Sequence, residues 1–256
     1  MDLPSKRSLG QNFLVDANIA AKIVDSLKTE PGDRVLEIGP GNGALTGLLQ
    51  QRARRVLALE KDRVLAAEIK RRWPELGVVN ADALGFPWDR LEGRVSGIVG
   101  NLPYNVASPI MWDLARQAHF LRRLVFTVQK EVAQRVTAKP CRKEYGGLSV
   151  WMQSFLQVHY VFQMSRNVFR PRPKVSSAVL RLEPRPVAQL PAFPDNLSRL
   201  IKLCFQNRRK QMGRILRTHW SPRLEEWLRG QGLDQRCRPE ELSPSQFVDL
   251  SSKLTV

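Results

Sequence analysis

Three glycines stand close together in Val35–Thr46, VLEIGPGNGALT, where an apolar run meets a run with helical spacing. Gly39, Gly41 and Gly43 would let the backbone turn sharply and let a ligand approach it closely. Glu60 ends the next apolar run, 21 residues beyond Gly39. A carboxylate there can accept both hydroxyls of a ribose. Asp82, in VVNADA, ends the third run, where it or its neighbouring amide can read an adenine edge. The glycine spacing is GxGxG rather than the GxGxxG of dinucleotide sites, and no pyrophosphate-binding pattern is completed. A glycine loop followed by two strand-end acids fits a ligand with a ribose and an adenine but no phosphate, S-adenosylmethionine. A NAD site is the rival reading, and a structural turn the plainest one.

A second cluster follows the apolar run VSGIVG. It reads GNLPYNVASP, Gly100–Pro109, and sits at the end of a fourth strand. In an open parallel sheet, ligands bind beyond the carboxyl ends of the strands. Alone, the segment could be a proline-stiffened turn with a half-buried tyrosine. Beside a methyl donor it suits an aromatic amine as acceptor. Such an amine is a poor nucleophile, because its lone pair is delocalised into the ring. Once alkylated it is very acidic, so no strong base is needed. It needs acceptors for its N–H groups, so that the lone pair localises toward the methyl. The neutral amide of Asn101 and a backbone carbonyl at Leu102–Pro103 can act so without a metal. Tyr104 offers a face on which a flipped-out base can stack.

These residues need a scaffold of alternating strands and helices. RVLEIG, RVLALE, GVVNAD, VSGIVG and RLVFTVQ read as strands, with helical runs GALTGLLQQR, DRVLAAEIKRRW and ASPIMWDLARQA among them. That order predicts an α/β fold, a parallel sheet with helices on both faces. VHYVFQM and SSAVLRLEP lack a helix between them and read as an antiparallel pair finishing the sheet. EPRPVAQLPAFP reads as a linker. Beyond it DNLSRLIKLCFQ, RRKQMGRILRTHW, SPRLEEWLRGQG and SPSQFVDLSSKL all read as helices. The expected division is a sheet domain over 1–185 and a small helical domain over 186–256.

Charge names the partner class. Lys+Arg 41 against Asp+Glu 24 gives +17, which suits a polyanion such as nucleic acid. No acidic residue lies between Glu144 and Glu183, nor between Asp195 and Glu225. A membrane surface is the competing polyanion, but the basic stretches lack a wide apolar face with Trp anchors. Cys141, Cys204 and Cys237 form no CxxC and do not cluster with the three histidines, so neither a disulfide framework nor a zinc site is expected. Nothing reads as a leader peptide or an 18-residue apolar span, and a cytoplasmic protein is expected. Self-repulsion at this charge points to a monomer.

Nine segments together, GQNFL (10–14), EIGPGNGALT (37–46), LEKD (59–62), NADAL (80–84), GNLPYNVASPI (100–110), QKEVAQR (129–135), YGGLSV (145–150), VFRPRPKVSSAV (168–179) and FQNRRK (205–210), resemble one family over nearly the whole chain. It is that of the bacterial small-subunit ribosomal RNA adenine N6,N6-dimethyltransferases. The resemblance implies a Rossmann-like class I methyltransferase sheet, mostly parallel with one antiparallel strand, and an appended helical RNA-binding domain. It implies S-adenosylmethionine as cofactor, held by Asn12, Leu14, Gly39, Gly41, Glu60, Asp82 and Asn101. Asn101, Leu102, Pro103 and Tyr104 would serve catalysis, with Phe169 packing on the opposite face of the target adenine. Arg208, Arg209 and Lys210 would contact RNA phosphates. The implied substrate is a pair of adjacent adenosines in the 3′-terminal hairpin of small-subunit rRNA within the immature 30S subunit, coupled to late assembly. Large-subunit rRNA methylation and an assembly checkpoint with secondary catalysis are the alternatives. The chain departs from the family at Ala107–Ser108, where Ser-Thr or Thr-Ser is common.

Overall fold

The structure, a computed structural model, describes residues 11–254. Gly10, the first residue of GQNFL, lies outside them. In chain order the regular elements begin with β1 (Phe13–Leu14), α1 (Ala17–Leu27), β2 (Arg34–Ile38), α2 (Thr46–Arg52), β3 (Arg55–Glu60), α3 (Arg63–Arg72) and β4 (Gly77–Asn80). Then come β5 (Gly97–Asn101), α4 (Ala107–Gln117), β6 (Arg123–Gln129), α5 (Lys130–Thr137), α6 (Gly147–Phe155), β7 (Leu156–Met164), β8 (Phe169–Arg170) and β9 (Ser177–Pro184). The chain closes with α7 (Pro194–Gln206), α8 (Met212–Ile215), α9 (Pro222–Gly230) and α10 (Pro244–Lys253).

The chain forms two compact units. One comprises the described residues up to Ala133 with Gln157–Pro184; the other comprises Gln134–Leu156 and the residues from Arg185 onward. The sequence placed one division after residue 185. The structure groups 134–156 with the helices that follow 185.

The first unit holds a seven-stranded sheet in the order β4-β3-β2-β5-β6-β9-β7. β2, β3, β4, β5 and β6 pair in parallel, and β9 runs antiparallel to β6. β9 therefore sits between β6 and β7, as the antiparallel member the resemblance implied. The central strands are buried almost throughout: Val35, Leu36, Ile38, Ile98, Val99, Leu124, Val125 and Phe126 are all inside. Near-continuous apolar strands are what a parallel sheet covered on both faces requires. The amphipathic α1 buries Ala20, Ile23, Val24 and Leu27 and starts at Asp16, whose side chain accepts from Ile19 N. Asp62 caps α3 in the same way, accepting from Val64 N. So the LEKD segment ends one strand and starts the next helix within a few residues.

Register brings the strand ends to one edge. Ile38 lies beside Leu59 and Gly100, Glu60 beside Asn80, and Asn101 beside Thr127. Gly100 allows β2 and β5 to approach closely there. A Cβ on it would stand 2.8 Å from the Ile38 carbonyl oxygen and 3.1 Å from Ile38 Cβ. Gly100→Ala is therefore expected to destabilise the protein by about 2 kcal/mol, since backbone must shift. Urea unfolding checks this; an unchanged midpoint would contradict such close approach.

The second unit is helical. α6, α7 and α10 pack together, burying Trp151, Phe155, Leu200, Ile201, Cys204, Phe247 and Leu250. Phe205 stacks on Phe247, and the Tyr145 hydroxyl donates to Leu242 O at 2.8 Å. The segment 208–220, read from sequence as one helix, is instead the four-residue α8 and a 3-10 turn at Arg217–His219. Asn207 ends α7 by donating its side-chain amide to Leu203 O. Met212 N and Gly213 N then donate to Cys237 O and Gln235 O, so their hydrogen bonds go to a neighbouring segment rather than along a helix. Between β9 and α7 the proline-rich linker is irregular apart from a 3-10 turn at Val187–Gln189.

Candidate active site

A cleft of about 920 Å³, counting space open to solvent, lies at the carboxyl ends of β2, β3, β4 and β5. Gly39, Gly41, Glu60, Asp82, Asn101, Leu102, Pro103 and Tyr104 all line it, as does Asn12. Nine of the residues named from sequence thus meet in one place, although they are spread from position 12 to position 104.

The glycine loop leaves room. A Cβ on Gly39 would meet nothing nearer than Asn101 O at 4.0 Å, so the floor is open between them. Gly41 has φ +54°, which only glycine adopts cheaply, and a Cβ there would press on the Phe13 ring at 2.9 Å. Its N–H points to Glu60 Oε2 at 3.3 Å, and Asp62 N donates to Glu60 Oε1 at 2.9 Å. Two backbone donors hold this carboxyl in place, while burial raises its pKa above the ordinary value. Asp82 is opposite in character. It is exposed, Lys61 Nζ sits 2.7 Å from Oδ2, and Leu84 N donates to Oδ1. The hydrogen bond from Lys61 holds its pKa below the usual carboxylate range.

Asn101 donates from Nδ2 to the carbonyl of Asn12 at 2.8 Å. That bond ties the arm before α1 to the end of β5. It also fixes which end of the amide is which, leaving Oδ1 as an acceptor with no hydrogen-bond partner among the described residues. Leu102 is buried, with its N–H on Thr127 O. The Tyr104 hydroxyl lies 2.5 Å from Ser177 Oγ. Burial raises its pKa, so the phenol stays neutral at physiological pH. Ala107, where the chain leaves the family pattern, is fully buried as the first residue of α4.

Three residues named from sequence stand outside the cleft lining. Leu14 is buried in the core and lines only a smaller cavity beside Gly39, Gly41 and Asn101. Phe169 was expected on the face of a target base. It is instead wholly buried in the core, paired with Leu14 across β1 and β8, and is not part of the cleft lining. The cause is strand alternation: in that two-stranded ribbon Arg170 points outward and Phe169 inward. Arg208 was expected on phosphate. Its guanidinium is engaged by Glu240 and by the Arg142 carbonyl, whereas Arg209 and Lys210 are exposed.

The sequence also passed over residues in the cleft and beside the glycine loop. Phe13 packs over Gly41, and Lys61 governs Asp82. Glu37, buried, accepts from the Thr46 hydroxyl at 2.7 Å. A lysine after a strand end reads as ordinary surface charge, and its partner 21 positions later carries no local signal. Among the described residues, no group of three His, Cys, Asp or Glu is placed to hold a metal, and no helix is long and apolar enough to cross a membrane.

Residues 3–255 match the model of a family described as ribosomal RNA adenine dimethylase. A protein of Maridesulfovibrio salexigens called ribosomal RNA small subunit methyltransferase A is 50% identical over 248 residues, which span 96% of this chain and 94% of that protein. Among solved structures, a dimethyladenosine transferase from Plasmodium falciparum superposes with a TM-score of 0.78 at 25% identity, covering 93% of this chain and 95% of that one. The 23S rRNA methyltransferase ErmE superposes at 0.71 with 29% identity, covering 95% and 99%.

Proposed function

The chain belongs to the ribosomal RNA adenine dimethylase family, and from that premise we propose that it dimethylates the N6 amines of two adjacent adenosines in the 3′-terminal hairpin of small-subunit rRNA. The observation that carries the reading is one cleft in which Gly39, Glu60 and Asp82 face the Asn101–Tyr104 segment. The first three suit the nucleoside part of a cofactor, and the last four suit a base amine.

S-adenosylmethionine is the methyl donor, supplying an electrophilic methyl on a sulfonium. The open floor at Gly39 admits a ligand against backbone, and Glu60, already oriented by two N–H groups, has lone pairs left for ribose hydroxyls. Asp82, kept ionised beside Lys61, can accept from an adenine amine. Asn101 Oδ1 and the Leu102 carbonyl accept the N–H bonds of the target amine, which localises its lone pair. No carboxylate need take the proton before transfer, because the amine becomes strongly acidic only afterwards. Tyr104 gives the base a face to lie on. The remaining rate comes from alignment of nitrogen, methyl carbon and sulfur.

The helical unit supplies charge for RNA. Arg199, Lys202, Arg209, Lys210, Arg214 and Arg217 are all exposed. Replacing Arg209 and Lys210 together by alanine is expected to weaken rRNA binding several-fold and to lower the slope of log affinity against log salt by about 2. Cofactor affinity should not move. Filter binding across a salt series checks this, and an unchanged slope would remove both residues from the RNA surface.

The high identity to a small-subunit enzyme favours that substrate over large-subunit rRNA. We propose a cytoplasmic monomer acting on the immature 30S subunit, late in its assembly, as the setting. The direct test offers labelled S-adenosylmethionine with undermethylated 30S, mature 30S or 50S particles. Label should enter undermethylated 30S alone. Label confined to 50S would overturn the reading, and salt-sensitive binding without transfer would favour an assembly checkpoint.

A further inference from the structure

Tyr104 reaches the cleft from a loop, yet its ring is held at both ends. The backbone end follows Pro103, whose carbonyl accepts from Val106 N at 3.1 Å. The hydroxyl end meets Ser177 Oγ at 2.5 Å, 73 positions later in the chain. Ser177 is wholly buried at the start of β9, in register with Gln129 at the end of β6. Two residues earlier on β6, Thr127 lies beside Asn101. One strand, β6, therefore places both Asn101, through β5, and the serine at the far end of the aromatic ring, through β9.

We infer that Ser177 is a positioning residue for methyl transfer, its hydroxyl pinning the Tyr104 ring in the orientation on which the target adenine stacks. The inference rests on the function proposed above. A ring held only at its backbone end can tilt about its side-chain torsions, and a base stacked on it tilts too. Transfer needs the amine nitrogen in line with the methyl carbon and sulfur, and a displacement of about 1 Å in such an arrangement can cost about 10²-fold in rate. Binding of rRNA is dominated by phosphate contacts and is much less sensitive to the ring. Losing the pin should thus appear in kcat and not in KM. It also gives the KVSSAV segment a task that its position beyond the cofactor motifs did not suggest.

A double-mutant cycle on the full chain tests this, with undermethylated 30S particles as substrate. Ser177→Ala should lower kcat about 5- to 20-fold with KM for the particle unchanged. Tyr104→Phe, which removes the other half of the bond, should do the same. The double variant should be no slower than the slower single one, because both remove one contact. Thermal melts of all four proteins show whether each folds. Independent losses that multiply in the double variant would overturn the inference. So would a Ser177→Ala protein with lowered melting temperature and unchanged kcat, which would make the serine merely structural. Failure of the wild-type protein to label any particle would instead overturn the proposed function.

Discussion

Asn101→Ala is expected to reduce the rate of methyl transfer by about 10²- to 10³-fold, the usual cost of deleting one preorganised hydrogen-bonding group at a reacting centre. The change removes from the cleft lining an amide whose Nδ2 donates to Asn12 O and whose Oδ1 is the proposed acceptor. Affinity for rRNA should hardly change, because a neutral amide supplies no charge to phosphate. Single-turnover labelling and filter binding separate the two. Asn101→Asp makes the argument sharper. If the amine needed a general base, a carboxylate would keep or raise the rate. As a neutral acceptor, Asn101 cannot be replaced so. Aspartate cannot donate to the Asn12 carbonyl and would set a negative charge against it. The aspartate variant is therefore expected to be slow as well, and a rate near wild type would sink the neutral-acceptor account. Loss of RNA binding in step with activity in the alanine variant would make Asn101 a structural residue.

The cleft was legible because its pieces sit at strand ends, and strand ends show locally. An apolar run stops, and a glycine, an acid or an amide follows. Gly39, Glu60, Asp82 and Asn101 all obey that rule, and parallel register carries them to one edge. What stayed hidden is contact across the chain. β1 and β8 are two residues each, too short to show a period, so nothing local said that Phe169 would turn inward against Leu14. Arg208 sits in a basic run that reads as a phosphate clamp. Its partner Glu240 lies 32 positions away, and only the fold brings them together. Residues 134–156 read as a continuation of the sheet domain, because no linker composition marks their change of unit. The hydroxyl of Ser177 is a similar case: a small polar residue beginning a strand looks like nothing until Tyr104 is found against it.

Glu37 leads to the second large effect, one on stability. It is buried beneath the glycine loop, and burial, with Glu60 adding repulsion, raises its pKa from the ordinary 4.5 to about 7 despite the Thr46 hydrogen bond. The folded protein therefore binds this proton more tightly than the unfolded chain does. The resulting stabilisation is fully present below pH 4.5 and is lost as pH rises through about 7. A shift of that size corresponds to about 3 kcal/mol lost across the window. Glu37→Gln removes the titration and keeps a carbonyl for the Thr46 hydroxyl. Near pH 5 the variant should be no more stable than the wild type, because its extra amide N–H groups enter a dry site. At pH 8 it should be the more stable of the two. The difference between them should swing by about 2.5 kcal/mol in the variant's favour between those pH values. Urea unfolding of both proteins without cofactor, at steps from pH 5 to pH 8, reads this directly. Taking the difference cancels the groups common to both, including Asp82 and Glu183, whose lowered pKa values act with the opposite sign. Parallel stability curves would mean that Glu37 is ionised throughout, with its charge accommodated beside the Thr46 hydroxyl.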